Sequence, residues 1–135
     1  LGNICRSPAA EGVMRQLAPD LILDSAGTGG WHVGDSPYGP MQAAAQARGI
    51  DLRGLRARQF AAADFDAFDL IVAMDRQNQH DIERLRPKGN ATPVRLMADA
   101  DVPDPYYTRD FDGALDIIAA AARRLLDDIS RTQDR

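Results

Sequence analysis

Cysteine and histidine are scarce in this sequence. One cysteine, Cys5, occurs among 135 residues, which excludes an internal disulfide framework and favours a reducing compartment, so we expect a cytoplasmic protein. The two histidines, His32 and His80, are too few and too widely separated to form a zinc cluster. We therefore expect neither a metal ion nor another cofactor.

Long apolar runs and an excess of positive charge are also lacking. No apolar run approaches the ~20 residues that a membrane-spanning helix needs, which excludes a membrane span. The net charge of −4 and the pI near 5.0 argue against a nucleic-acid-binding surface. With 44% hydrophobic residues, a chain of this length forms one domain, and we assign residues 1–135 to it.

The start of the chain predicts an anion-binding loop followed by a helix. The loop, which we call the anion loop, consists of Leu1, Gly2, Asn3, Ile4, Cys5, Arg6 and Ser7. Gly2 and Asn3 allow backbone N–H groups to turn inward, and the guanidinium fork of Arg6 matches phosphate oxygens. Ser7 stands at an N-cap position and Pro8 in a first helical turn, so the positive end of a helix dipole points to the same spot. This pattern predicts a site for a tetrahedral dianion.

An acidic segment near residue 104 predicts a positioned proton donor. Asp104 stands between two prolines, which hold its carboxyl at little entropic cost, and Tyr106 and Tyr107 follow as possible walls of a cleft. The segment does not fit a calcium loop beginning at Asp99, because its sixth position is Asp104 instead of glycine and its twelfth is Asp110 instead of glutamate.

Two other features allow two interpretations each. Trp31 is either a half-buried aromatic at the edge of the domain or the wall of a substrate cleft. Arg53, Arg56 and Arg58 form either a solvated connector, which we favour, or a positive approach for an anionic substrate.

These segments resemble the low-molecular-weight protein tyrosine phosphatases, whose active-site loop has the pattern Cys-x5-Arg-Ser. The matching pieces are residues 1–8 for that loop, and residues 24–28 with 31–34, 56–59, 74–78 and the Asp-Pro-Tyr-Tyr of 104–107 for the family's other blocks. Many members carry histidine directly before the arginine block, where this chain has Leu55. A hydrogen bond from that imidazole to the anion loop must then be absent or supplied by another group.

The resemblance implies a phosphatase that hydrolyses phosphotyrosine in proteins and small aryl phosphate monoesters through a cysteinyl-phosphate intermediate. Arg6 would bind the phosphoryl group, and Asp104 would be the general acid and later the general base. The substrate cleft would be lined by Trp31, Tyr106 and Tyr107, and Ser25 would support the anion loop by bonding to Asn3. The expected ligands are phosphotyrosine-containing proteins and phosphate-like oxyanions. Some bacterial members of the family are secreted.

The spacing of the family pattern places the nucleophilic cysteine immediately before Leu1. Cys5 matches the family's second loop cysteine, which neighbours the nucleophile and can pair with it on oxidation, and its spacing to Arg6 is wrong for a nucleophile. We expect the nucleophile and a short strand to precede Leu1.

Alternating apolar patterns predict the fold. Strand-like runs at 21–23, 70–74 and 93–97 alternate with helical patterns at about 7–17, 40–48, 76–85 and 110–130. This alternation predicts a three-layer α/β/α sandwich with a mainly parallel four-stranded sheet of flavodoxin-like order. Its first, central strand would be the one that precedes the anion loop.

Two alternative functions stay open. One is a phosphoarginine phosphatase on the same fold, a subgroup in which threonine commonly replaces the isoleucine of the loop, and Ile4 favours phosphotyrosine. The other is a non-catalytic phosphate-binding module, against which the combination of Arg6 and Asp104 argues, because a binding module does not need a proton donor. An arsenate reductase of this fold would need further cysteines after Cys5, and the sequence has none.

Overall fold

The computed structural model describes residues 4–133. The elements follow in the order α1 (Arg6–Leu17), α2 (Gly39–Gln46), α3 (Asp64–Ala67), β1 (Ile71–Ala73), α4 (Arg76–Glu83), β2 (Val94–Leu96), α5 (Pro105–Thr108) and α6 (Phe111–Gln133). The α/β class with a parallel sheet is therefore confirmed. Within the described range, no helix combines the length and the apolar character that crossing a membrane requires.

The sheet joins the two strands on either side of α4. Strands β1 and β2 run parallel, with Ile71 opposite Val94 and Ala73 opposite Leu96. The pairing continues beyond the strands, because the amide of Met97 donates to the carbonyl of Ala73 over 2.8 Å. The carboxyl ends of both strands consequently lie at one edge, which is where ligands bind in open parallel sheets.

Helices α1 and α6 form the main core. Their fully or largely buried apolar residues recur at helical spacing, and they are Ala9, Ala10, Val13 and Met14 on α1 and Leu115, Ile118, Ala122 and Leu125 on α6. A Cβ at Gly12 would lie 2.5 Å from Cδ2 of Leu52, so α1 packs very closely against the segment after α2. This core fixes the position of the first turn of α1, where the anion loop ends.

The strand predicted at residues 21–23 is not formed. The amide of Leu21 donates to the carbonyl of Ala18, as part of the turn that ends α1, and the side chain of Ile22 is 91% exposed. A strand exists only where its backbone bonds to a neighbour, and within residues 4–133 the nearest pairing is an isolated bridge between Gly27 and Gln59. The described residues therefore contribute two strands to the sheet.

The N-cap of helix α1 lies two residues earlier than the sequence predicts. Cys5, instead of Ser7, occupies the N-cap position, without a side-chain capping bond. The carbonyl of Cys5 accepts the amide of Ala9 over 3.2 Å, which closes the first turn and encloses Ser7 within it. Pro8 lies in this first turn, where its missing N–H costs no helical hydrogen bond.

Candidate active site

Arg6 lies in the first turn of α1 and points to the carboxyl edge of the sheet. Its side chain is only 5% exposed. Nη1 donates to Oδ2 of Asp75 over 2.8 Å and to the carbonyl of Val102 over 2.7 Å, and Nη2 makes a long contact of 3.5 Å with Oδ1 of Asn78. Since both Nη1 protons are engaged, the edge formed by Nε and Nη2 is the part of the fork that can receive two oxygens of an anion.

Asp75 connects this arginine to helix α4. One carboxylate oxygen accepts the amide of Asn78 over 2.7 Å and so caps α4, while the other accepts from Arg6. Burial opposes ionisation of Asp75, but the Asn78 amide and the Arg6 guanidinium outweigh it and hold the pKa of the carboxyl below its ordinary value. Asp75 is therefore ionised, accepts hydrogen bonds on both carboxylate oxygens and holds the guanidinium of Arg6 in place.

Asp104 faces the same guanidinium from the other side. It caps the short helix α5, because its Oδ1 accepts the amide of Tyr106 over 3.0 Å. Oδ2 lies 3.7 Å from Nη2 of Arg6. The structure thus brings together the two residues that the sequence predicts as catalytic, although they come from opposite ends of the chain. Since Oδ1 accepts a backbone N–H, Oδ2 is the carboxylate oxygen that faces Arg6.

The predicted cleft residues lie around one cavity of about 530 Å³. Its lining includes Arg6 and Asp104 together with Trp31, Tyr106 and Tyr107. Trp31 is 68% exposed, so the interpretation as a half-buried aromatic is wrong. The cavity also has an apolar part, which is lined by Leu23, Leu70, Ile71, Val72, Ala73, Met97 and Leu125.

Cys5 is a buried free cysteine at the N-cap of α1. Burial, reinforced by the charge of Asp104, raises the pKa of the Cys5 thiol to about 12. The thiol is therefore protonated at neutral pH and is a poor nucleophile. This property agrees with the prediction that Cys5 is not the nucleophile.

Ser25 is held by a buried carboxylate on α1. Its hydroxyl donates to Oε1 of Glu11 over 2.7 Å, and the other oxygen of Glu11 pairs with Arg15 over 2.7 Å. Leu1, Gly2 and Asn3 lie outside the described residues, so the bond between Asn3 and Ser25 stays a prediction. Sequence reasoning missed Glu11, which is 5% exposed and whose only signal is an acidic residue among the buried positions of α1.

The arginines of residues 53–58 behave as a connector. Arg53 pairs with Asp51 at the surface, and Arg58 pairs with Asp24 and Asp64. These partners are protein carboxylates, in agreement with the connector interpretation that the sequence favours.

Three further residues beside the anion loop escaped the sequence-based prediction. Asp75 had a signal, since it directly follows a buried strand at the edge where parallel sheets bind ligands. Tyr38 and Arg109, which contact each other through a hydrogen bond of 2.7 Å, had none, because nothing in their sequence positions indicates contact. Within the described range, no group of three histidine, cysteine, aspartate or glutamate side chains lies close enough to hold a metal ion.

Comparisons with known proteins agree with the geometry of the site. The family model for low molecular weight phosphotyrosine protein phosphatases matches residues 1–135. The low molecular weight protein-tyrosine-phosphatase YfkJ of Bacillus subtilis is 39% identical over 97% of this chain and 92% of YfkJ. PtpA of Staphylococcus aureus, which carries the same family name, is 38% identical over 94% of this chain and 88% of PtpA.

Solved structures lead to the same family. The crystal structure of YfkJ superposes with a TM-score of 0.91 at 38% identity, covering 98% of this chain and 91% of that one. Wzb of Vibrio vulnificus, in complex with benzylphosphonate, superposes with a TM-score of 0.87 at 26% identity over 95% and 93% of the two chains. The sequence motifs, the parallel fold and these relatives agree, and the chain belongs to the low molecular weight phosphotyrosine protein phosphatase family.

Proposed function

We propose that the protein hydrolyses phosphotyrosine in proteins and aryl phosphate monoesters through a cysteinyl-phosphate intermediate. The observation that supports this most directly is the position of Asp104 Oδ2, 3.7 Å from Nη2 of Arg6. A phosphoryl group bound by Arg6 would have its bridging oxygen within reach of an acid on that side. The nucleophile is the cysteine that the family pattern puts immediately before Leu1.

In the first step the cysteine thiolate attacks phosphorus, and the bond between phosphorus and the tyrosine oxygen breaks. The Nε–Nη2 edge of Arg6 binds two non-bridging oxygens, while loop amides and the N-terminus of α1 stabilise the charge. Asp104 gives its Oδ2 proton to the departing phenolate, whose conjugate acid has a pKa of about 10.

In the second step a water molecule attacks the phosphocysteine. Asp104, now ionised, takes a proton from that water, the bond between sulfur and phosphorus breaks, and inorganic phosphate and the thiolate are released. The cycle uses one acid, one nucleophile and one cationic clamp, and it needs no redox partner.

The walls of the cavity suit an aromatic substrate. Trp31, Tyr106 and Tyr107 line it together with Arg6 and Asp104, and the rings of Tyr106 and Tyr107 meet edge to face with 5.3 Å between their centroids. Aromatic rings stack favourably in offset or edge-on arrangements. The complex of the related Wzb with benzylphosphonate supports a ligand of this kind, because that compound joins a phosphonate to an aromatic ring.

Replacing Asp104 by Asn tests the proposal. The substitution keeps the oxygen that caps α5 but removes the transferable proton, so kcat/KM for phosphotyrosine, which reports the steps up to departure of the leaving group, should fall by about 10²–10³-fold. The loss with 4-nitrophenyl phosphate should be much smaller, because its leaving group needs little protonation. The measurement is steady-state kinetics of the complete protein on both substrates under reducing conditions.

Asp99→Asn is the matched control for this experiment. Asp99 is a carboxylate of the same loop, its side chain is 93% exposed, and it pairs at the surface with Arg124. Its replacement should leave kcat unchanged on both substrates. Equal losses on the two substrates in Asp104→Asn would contradict the role of Asp104 as the acid, and turnover of phosphoarginine in preference to phosphotyrosine would favour the alternative phosphatase.

A further inference from the structure

Arg109 adopts a left-handed backbone conformation, which residues other than glycine usually avoid. Its φ angle of 65° makes it the one non-glycine residue with positive φ in the described part of the chain. The residue ends helix α5, and its amide donates to the carbonyl of Pro105 over 2.9 Å. A left-handed conformation brings the Cβ of an L-residue close to its own carbonyl, so a non-glycine residue at this position carries backbone strain.

The side chain of Arg109 binds Tyr38, which precedes α2. Nη1 donates to the hydroxyl oxygen of Tyr38 over 2.7 Å. The guanidinium carbon lies 5.6 Å from the centroid of the Tyr38 ring and 5.9 Å from that of Tyr106, and the two rings are themselves 5.3 Å apart. Arg109 therefore contacts one aromatic ring on each of two elements, in the range of cation–π attraction.

Tyr38 also contacts the anion loop. Its amide donates to the carbonyl of Ile4 over 2.7 Å, and its own carbonyl accepts the amide of Gln42 in the first turn of α2. The backbone of Tyr38 is thus fixed to the anion loop, while its hydroxyl is fixed to the residue that ends α5. A single residue connects the two parts of the site.

The position of helix α5 depends on contacts with other parts of the chain, such as the bond between Arg109 and Tyr38. It has only four residues, from Pro105 to Thr108, and a single turn has almost no stability of its own. Asp104 caps its first turn and Arg109 ends it, so a displacement of the helix would displace the Asp104 carboxyl with it. The distance between Asp104 and Arg6 therefore depends on what anchors the far end of α5.

We propose that Tyr38 and Arg109 form a latch that positions Asp104 over the anion loop for protonation of the leaving group. The inference rests on the proposed role of Asp104 as general acid. Both latch residues act through Asp104, so they are positioning residues. Opening the latch should weaken proton transfer without removing the binding of the phosphoryl group by Arg6.

Tyr38→Phe is the sharpest test, because it removes one hydroxyl and keeps the ring and the backbone bond to Ile4. We expect kcat/KM for phosphotyrosine to fall about 3- to 10-fold, the range that the loss of one hydrogen bond produces. The loss of kcat/KM with 4-nitrophenyl phosphate should be under about twofold, because its leaving group needs little protonation. A series of aryl phosphates with increasingly basic leaving groups should therefore give a steeper dependence of kcat/KM on leaving-group pKa.

A double-mutant cycle shows whether Tyr38 acts on catalysis through Asp104. In the Asp104→Asn background, Tyr38→Phe should cause no additional loss with phosphotyrosine, because the acid that the latch positions is no longer present. Arg109→Gln should reproduce the pattern of Tyr38→Phe, and Arg124→Gln, which removes an exposed arginine paired with Asp99, is its matched control. Because Tyr38→Phe is such a small change, it stays informative if Arg109→Gln fails to fold in a thermal melt.

The outcomes separate the latch from the proposed function. Equal losses of kcat/KM on all leaving groups, or full additivity with Asp104→Asn, would overturn the latch and leave Asp104 as the acid. If Asp104→Asn itself loses equal kcat/KM on good and poor leaving groups, the proposed role of Asp104 as the acid fails, and the latch fails with it. The expected pattern supports both.

Discussion

Asp75 determines which edge of the Arg6 guanidinium is presented to a ligand. It engages Nη1 at 2.8 Å, and the carbonyl of Val102 engages the same nitrogen at 2.7 Å. A guanidinium can rotate about its long side chain, and only contacts of this kind hold the Nε–Nη2 edge in one orientation. The guanidinium that we propose binds phosphate is thus oriented by the Asp75 carboxylate.

Replacing Asp75 by Asn should lower activity through Arg6. The amide keeps a capping oxygen for α4 but loses the charge, and Arg6, which is 5% exposed, keeps a buried charge without its carboxylate partner. We expect kcat/KM for 4-nitrophenyl phosphate to fall about tenfold and the free energy of unfolding to fall by about 1–3 kcal/mol. Asp81→Asn, on the same helix, is the control for kinetics and urea denaturation, and a variant that matches wild type in both would contradict the assignment.

The effect of Asp75 on stability should depend on pH in one direction. Burial raises its pKa, but the Asn78 amide and the Arg6 guanidinium lower it further, so the folded-state pKa lies below the ordinary value of 3.8. A carboxyl of this kind stabilises the fold above its unfolded pKa and loses that contribution as pH falls through the folded pKa. The difference in unfolding free energy between wild type and Asp75→Asn should be constant from about pH 5 to 8 and should shrink below about pH 4.

Local sequence indicates two of the predicted site residues, Arg6 and Asp104, which the structure brings together. Arg6 follows a glycine-containing loop, and Asp104 stands between prolines, so both patterns indicate a task without knowledge of the fold. Tyr38 and Arg109 could not be predicted, because their contact depends on how α5 folds back onto the anion loop. Such a contact between distant residues leaves no periodicity in the sequence.

At the scale of elements, long apolar periodicity predicted well and short runs did not. Helices α1, α2, α4 and α6 and both strands formed within a few residues of the predicted bounds. Helices α3 and α5 have four residues each, too few to show a helical period. The run at 21–23 has strand composition, but a strand also needs a backbone partner, and composition carries no information about the partner.

The contact between α6 and α1 should account for much of the stability. Ile118 is fully buried in the main core, whereas its neighbour Ile117 is 38% exposed. We expect Ile118→Ala to lower the free energy of unfolding by about 2–5 kcal/mol, because it removes buried methyl groups and leaves a cavity. Ile117→Ala removes the same atoms from the surface and should cost less than about 1 kcal/mol. Urea denaturation of the two variants gives the comparison, and equal costs would contradict this description of the core.

At the scale of the whole molecule, the cavity next to β1 is lined both by residues of the core and by residues of the candidate active site. Its apolar lining comes from β1, from Leu23 and from the core residues Met97 and Leu125, and the 91% exposed Ile22 is another of its lining residues. The cavity of about 530 Å³ contains this apolar part as well as the polar part around Arg6 and Asp104, so the same opening reaches the core and the candidate active site. An apolar strand between β1 and residues 21–23 would bury this lining and give residues 21–23 the backbone partner that a strand requires. The same strand would end where the family pattern puts the nucleophile.

Extension of the chain ahead of Leu1 tests this connection. One extended chain has a continuous run of apolar residues that ends in cysteine ahead of Leu1. The other has a glycine–serine segment of equal length there. The first should unfold at a clearly higher urea concentration than the second. The expected difference is several kcal/mol, because burial contributes roughly 25 cal/mol per Å² of apolar surface. Hydrolysis of 4-nitrophenyl phosphate should appear in the apolar extension and disappear when its cysteine is replaced by serine, whereas stability should be unaffected by that replacement. Equal urea midpoints for the apolar and the glycine–serine extensions would contradict a strand in the apolar part of the cavity, even if the cysteine restored activity.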